Sequence, residues 1–262
     1  MELFLFLHHR KRCSQENMPL ILKKIHRLLY FISVLFFFSL CFPILYFLSK
    51  NPQRYYSHIV WFRKWISIIS LHLVGIRFKI NYEEAVDWSV PYIICPNHTS
   101  ILDITALTYL CPQEFSFIGK IELLKNPVTR IFFKSIDIPV KRESKISAFK
   151  AFKRATELLK EGKSIVIFPE GKIDDEFPPM LHKFKAGAFK MAIENNIAIL
   201  PVVIHNAYET MWDDGSRFGS KPGVIEISVL KPIYFNGTEN QKYDSIEIEV
   251  YEKMSKVWNR KS

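Results

Sequence analysis

His98 and Asp103 stand five residues apart in Pro96-Asn97-His98-Thr99-Ser100-Ile101-Leu102-Asp103, a pairing that could move a proton. An imidazole so placed can act as a general base, while the carboxylate fixes its tautomer and stabilises the imidazolium. A second reading of Asp103 stays open, because Ser100-Ile101-Leu102-Asp103 also fits a capping box at a helix start. In a chain with 8 histidines such a pair carries little information alone. It gains meaning from three segments further on.

Phe168-Pro169-Glu170-Gly171 follows the strand-like Ser164-Ile165-Val166-Ile167. Gly171 would let the backbone approach a ligand closely, and Glu170 can accept hydrogen bonds from hydroxyls or hold a cation. Val140-Lys141-Arg142 and Gly119-Lys120 end two other strand-like runs. Arginine offers phosphate a fork of donors, and lysine offers a point charge. Leu200-Pro201-Val202-Val203 closes the series and has the composition of a buried strand.

In that order the four segments resemble the glycerolipid acyltransferase family, the lysophosphatidic acid acyltransferases of the PlsC type. The resemblance covers roughly residues 77–232, with a weaker match through the preceding helices. It implies transfer of a fatty acyl group from an acyl-CoA or acyl-carrier-protein thioester, with no resident cofactor. The implied acceptor is the free hydroxyl of 1-acyl-glycerol-3-phosphate, and the product is phosphatidic acid. By the same resemblance His98 is the base, Asp103 its partner, and Arg142 the phosphate-binding arginine. Lys120, Glu170 and Gly171 would help to bind substrate, and Pro201 would form one wall of the acyl groove. The run Phe184-Lys185-Ala186-Gly187-Ala188-Phe189-Lys190 also resembles bacterial members.

The chain departs from the family's pattern in two places. Lys141 stands where members tend to carry an acidic residue, and residues 128–135 lack the expected glycines. Lys172-Ile173-Asp174 stands where the family often has Thr, Arg and Ser, so Lys172 would take over as phosphate partner. Another lysophospholipid acceptor, or a lipid-binding protein without turnover, are the competing readings. Ser100 and Cys95 lie close by in sequence, which leaves a covalent acyl-enzyme route open. His182 and His205 read as structural, since no paired metal-ligand spacing accompanies them.

These segments need a frame. Strand-like runs fall at residues 77–81, 92–95, 115–118, 135–140, 164–168, 197–204 and 224–230, with helical stretches at 100–110, 121–133, 145–161, 186–195 and 245–258. That alternation predicts an α/β fold, a largely parallel sheet flanked by helices, with ligands at the C-terminal strand ends.

Upstream, residues 28–48 contain no charge. Twenty-one residues at ~1.5 Å each reach about 30 Å, the thickness of bilayer hydrocarbon. The run is longer than a signal-peptide core and no small-residue cleavage site follows it. Residues 57–74 read as a second apolar, aromatic helix, which Trp61, Trp65, Arg63 and Lys64 suit to a membrane interface, with a domain-core helix as the competing reading. The resemblance, whose members place a two-helix membrane-associating unit here, favours the interface. The expected organisation is therefore a mobile extension at 1–17, membrane-associating helices at 18–76, and a catalytic domain at 77–262.

Lys23, Lys24, Arg27, Lys50, Arg54, Arg63 and Lys64 bracket the apolar block, where they would meet lipid head groups. Six cations precede the block (Arg10, Lys11, Arg12, Lys23, Lys24, Arg27) and four follow it closely, which would weakly place the catalytic part outside the cell. Acyl thioesters are cytoplasmic, and Pro43 could give a kinked or re-entrant helix that need not cross. Monotopic insertion in the cytoplasmic membrane, with the catalytic part facing the cytoplasm, reconciles the two.

The net charge of +10 suits anionic lipid, a phosphorylated substrate or an acidic carrier. No zinc-ligand spacing, RNP-like run or helix-turn-helix points to nucleic acid. Cys13, Cys41, Cys95 and Cys111 lack CxxC spacing and read as free thiols of a reducing compartment.

Overall fold

The computed structural model describes residues 18–173, 176–212, 217–235 and 243–259. The expected extension at 1–17, its cations Arg10, Lys11 and Arg12, Cys13 and Asp174 lie outside the described residues.

The charge-free block forms the middle and end of α1 (Leu20–Leu48). Pro43 sits inside it, and the helix continues through it to Leu48. A proline interior to a helix costs one intrahelical bond, and a helix this long tolerates that loss. Of its 29 residues only Tyr30, Phe38, Cys41, Leu45 and Leu48 are buried. Ile21, Leu28, Ile32, Leu35, Phe36 and Phe47 all face outward.

α2 (Tyr56–Leu73) folds back on α1, with Phe37 and Trp65 edge to face at 5.5 Å. Its other side enters the domain core. Tyr56, Ile59 and Ile66 are buried there, and the Tyr56 hydroxyl donates to the Phe115 and Ile136 carbonyls. α2 is thus covered on two sides, and only Trp61 among its tryptophans is exposed.

Three cations expected among lipid head groups are engaged by protein instead. Arg63 is buried and its Nη1 lies 2.7 Å from Asp137 Oδ1. Lys64 Nζ donates to the Cys111 carbonyl at 3.1 Å, and Arg27 Nη1 donates to the Trp212 carbonyl. A buried guanidinium needs an anion and acceptors nearby, and the helix-to-domain junction supplies both.

Seven strands form one sheet in the order β1 (Ile76–Tyr82), β7 (Gly223–Val229), β6 (Ile199–Ile204), β2 (Ile93–Pro96), β5 (Ser164–Val166), β3 (Phe115–Lys120) and β4 (Ile138–Val140). Every neighbouring pair is parallel except β6 and β7, so the sheet is largely parallel, as expected. α3 (Leu102–Leu110) connects β2 to β3. α4 (Pro127–Ser135) connects β3 to β4, α5 (Lys145–Lys160) connects β4 to β5, and α6 (Gly187–Asn195) connects β5 to β6. The first two crossovers move one way along the sheet and the last two move back. Right-handed connections therefore place α3 and α4 on one face and α5 and α6 on the other. α2 packs on α3 and β1, while α8 (Tyr243–Trp258) packs on α6 and β6. The four-residue α7 (Ala207–Thr210) leads out of β6.

Two predicted elements end differently for local reasons. The expected helix at 121–133 splits into a 3-10 turn, Ile121–Lys125, and α4. Asn126 precedes Pro127, which disfavours helical backbone at residue 126, and its side chain caps the Val128 N–H at 2.9 Å. The strand expected at 135–140 shrinks to Ile138–Val140 because Ser135 finishes α4 and Asp137 turns inward. Its Oδ1 accepts from the Phe117 N–H and from Arg63.

Candidate active site

β2, β5, β3 and β4 run parallel, so the turns after them meet at one edge of the sheet. There a cavity of about 580 Å³ opens on the α2–α3 face. His98, Lys120, Arg142, Gly171 and Lys172 all line it. Five of the eight residues singled out from sequence are therefore brought together.

His98 stands two residues beyond β2, in a turn held from three directions. Asn97, 1% exposed, exchanges two hydrogen bonds with Ile204, at 3.0 and 2.7 Å, which ties the turn to β6. The His98 N–H donates to Glu170 Oε1 at 2.7 Å. The imidazole stacks on Phe168 with a centroid separation of 4.0 Å.

Asp103 Oδ2 lies 3.0 Å from His98 Nδ1 and also accepts from the Thr99 and Ser100 N–H groups, at 2.6 and 2.8 Å. One oxygen therefore meets both the helix start and the imidazole. It braces the helix start as one half of a capping box does, and the same oxygen orients the ring. The Ser100 half differs, since its hydroxyl accepts from the Leu102 N–H and donates to the Met211 carbonyl at 2.6 Å. An ionised carboxylate only accepts, so Nδ1 carries the proton and Nε2 presents its lone pair. Among the described residues nothing hydrogen-bonds that Nε2.

Such a pair can take a proton from a hydroxyl brought into the cavity and return it. The covalent route left open by sequence closes here. Ser100 is fully buried with its hydroxyl committed to Met211, and Cys95 lies inside β2, where burial pushes its thiol pKa far up.

Glu170 is placed differently from the expectation that it meets a glycerol hydroxyl. It is 3% exposed, and its two oxygens accept from the backbone N–H groups of His98 and, at 2.8 Å, of His182. The carboxylate is consumed in joining the two loops that frame the site. Gly171 next to it has φ +75°, and an added Cβ would stand 2.9 Å from Lys185 Nζ, so only glycine fits without displacement. Pro201 is the clearest correction. It lies in the middle of β6, opposite Cys95, and does not line the cavity, because a central strand buries both its faces.

The cationic side of the cavity is Lys120, Arg142 and Lys172. Partial burial pulls the Arg142 pKa down while Glu143 and Glu122 push it back up, and the guanidinium stays charged. Deeper down the face of β3, the cavity reaches Phe117, Arg63, Ser67 and Asp137. Sequence reasoning missed this end, although Asp137, a lone charge in an apolar run, was the available signal. It also missed Asn97. His205 lies outside the cavity lining, with Nε2 2.8 Å from Ser228 Oγ. Among the described residues no cluster of side chains could hold a metal, and Cys41, Cys95 and Cys111 are free and buried.

Comparison with known proteins gives a consistent result. Residues 77–205 match the family model described as Acyltransferase. A chloroplastic 1-acyl-sn-glycerol-3-phosphate acyltransferase of Arabidopsis thaliana is 29% identical over 185 residues, 70% of this chain and 51% of that protein. The 1-acyl-sn-glycerol-3-phosphate acyltransferase of Borreliella burgdorferi is 35% identical over 141 residues, 53% of this chain and 55% of that protein. The human beta form is 28% identical over 168 residues, 63% of this chain and 59% of that protein. The chain thus spans between half and three fifths of the length of these relatives. In fold it is similar to the crystal structure of the 1-acyl-sn-glycerophosphate acyltransferase PlsC of Thermotoga maritima. There the TM-score is 0.74 at 17% identity, over 93% of this chain and 98% of that one.

Proposed function

We propose, from the match of residues 77–205 to the Acyltransferase family model, that the chain acylates the free hydroxyl of 1-acyl-glycerol-3-phosphate, yielding phosphatidic acid. The observation that carries this reading is the oriented His98–Asp103 pair in a cavity that also holds Lys120, Arg142 and Lys172. The relatives' names point to the same acceptor.

In this reading His98 Nε2 takes the hydroxyl proton as the acceptor oxygen attacks the thioester carbonyl carbon. Asp103 stabilises the imidazolium that forms. As the C–O bond is made the C–S bond breaks, and the imidazolium returns the proton to the departing sulfur. Ester and free thiol are the products. The thioester drives the exchange, so the step calls on no resident cofactor. The cations hold the acceptor's phosphate and thereby fix its hydroxyl near His98. Glu170 acts through the backbone of His98, as a positioning residue.

Attachment to the membrane follows from α1. A helix crossing a bilayer carries its ends into water on opposite sides, yet here both ends are bound to one domain. The Lys23 carbonyl accepts from the Ser220 N–H, and His26 contacts the Val74 carbonyl and Ser220 Oγ at 2.7 and 2.6 Å. At the far end the chain turns within a few residues into α2, whose Tyr56 hydroxyl donates to the Phe115 and Ile136 carbonyls of the domain. We infer that α1 lies in one leaflet with its outward face in lipid, the catalytic domain facing the cytoplasm. Acceptor and product are then within reach of the cavity.

Purified protein assayed against a panel of lysolipids, with acyl-CoA and acyl-carrier-protein donors, tests the proposal. The expected result is preference for lysophosphatidic acid. Equal use of neutral-headgroup acceptors would reject it.

A further inference from the structure

Among the described residues outside α1, the most exposed apolar side chains are on α5. Ile146 and Phe149 are 71% and 70% exposed, more than any apolar residue of α1, where Ile21 reaches 64%. They lie one turn apart, on the face opposite the buried stripe of Ala151, Ala155, Leu158 and Leu159. Exposed Lys145, Lys150 and Lys153 surround them. Residues 141–160 carry seven cations and only two carboxylates, Glu143 and Glu157, and Glu157 pairs with Arg154 at 3.1 Å.

The position is as telling as the composition. α5 starts three residues after Arg142, which itself lines the cavity, so the chain runs directly from the cavity's cationic side into the patch. It also lies on the far face of the sheet from the α1–α2 hairpin. A bilayer covering the outward side of α1 leaves α5 facing the cytoplasm.

We propose that this basic, apolar-centred patch docks a small acidic acyl-carrier protein, which presents its thioester to the cavity past Arg142. The inference rests on the acyl-transfer reading above and names the donor and where it binds. The charges match an acidic partner and steer it, while Phe149 and Ile146 supply the dry centre that such interfaces share. Acyl-CoA needs no such surface, since its thioester arrives on a small molecule.

The test compares the full chain with K145E/K150E/K153E and with I146S/F149S, using acyl-carrier protein and acyl-CoA as donors and lysophosphatidic acid as acceptor. Both variants are expected to lose roughly 10-fold or more in kcat/KM with the carrier donor, K145E/K150E/K153E through lost electrostatic steering and I146S/F149S through lost apolar anchors. Both should keep their acyl-CoA kinetics and their flotation with anionic phosphatidylglycerol vesicles. Equal losses with both donors, or loss of vesicle binding, would overturn the docking site, the second outcome assigning α5 to the membrane. Transfer from acyl-CoA alone by the unaltered protein would also overturn it. No transfer from either donor would bring down the acyl-transfer reading and this inference with it.

Discussion

Glu170 Oε1 holds the backbone N–H of His98 at 2.7 Å, while its second oxygen holds that of His182, so one buried carboxylate ties the His98 turn to a second loop through the backbone. A glutamine keeps the shape but donates where an acceptor is required. A hydrogen bond to a charged group is worth ~1.5–3 kcal/mol, so Glu170→Gln should lower kcat by about 10- to 100-fold. KM for the acceptor should barely change, because Glu170 is absent from the cavity lining. Steady-state kinetics separate the two. A variant altered only in acceptor KM would show that Glu170 binds substrate directly.

Arg142→Ala should act on the other parameter. Removing a guanidinium that can grip phosphate in a fork should raise the KM for lysophosphatidic acid, and leave that for a neutral-headgroup acceptor unchanged. An effect confined to the acyl donor would contradict the assignment.

The Arg63–Asp137 pair joins α2 to the sheet, with the guanidinium also donating to the Phe115 carbonyl at 3.1 Å and lying 4.3 Å over its ring. Breaking a buried pair from one side costs ~3–5 kcal/mol because the other charge is left uncompensated. Arg63→Met should accordingly lower Tm by on the order of 10 °C. Asp137→Leu added to it should recover part of the loss. An unchanged melting curve for Arg63→Met would show that the pair does not couple the hairpin to the domain.

Gly171→Ala tests the turn itself. At φ +75° a Cβ costs about 1–2 kcal/mol, and Lys185 must also move aside. Thermal denaturation should register the loss, and transfer should fall because the turn frames the cavity beside His98. Wild-type stability and activity would show that this backbone can relax without consequence.

What was legible in the sequence follows from its local chemistry. Alternating apolar runs and helix signals such as Gly162 at the end of α5 were enough to predict an α/β sheet. Parallel strand order then carried His98, Lys120, Arg142 and Gly171 to a single edge. Long-range pairings were not legible. Glu170 had the right type to bind a hydroxyl, and only the fold shows that two backbone donors 72 and 12 residues away already occupy it. Pro201 read correctly as buried strand, but burial in a central strand is what removes it from the cavity. Arg63 and Lys64 looked like head-group cations because a sequence does not say which side of an amphipathic helix meets a sheet.

The central claim is that His98 is the base, and the most direct measurement is the rate of acyl transfer to lysophosphatidic acid by His98→Ala. The expected result is a fall of roughly 10²- to 10⁴-fold, the usual contribution of a positioned base, with melting temperature and vesicle flotation unchanged. Transfer at the normal rate by a folded, membrane-bound His98→Ala protein would contradict the account.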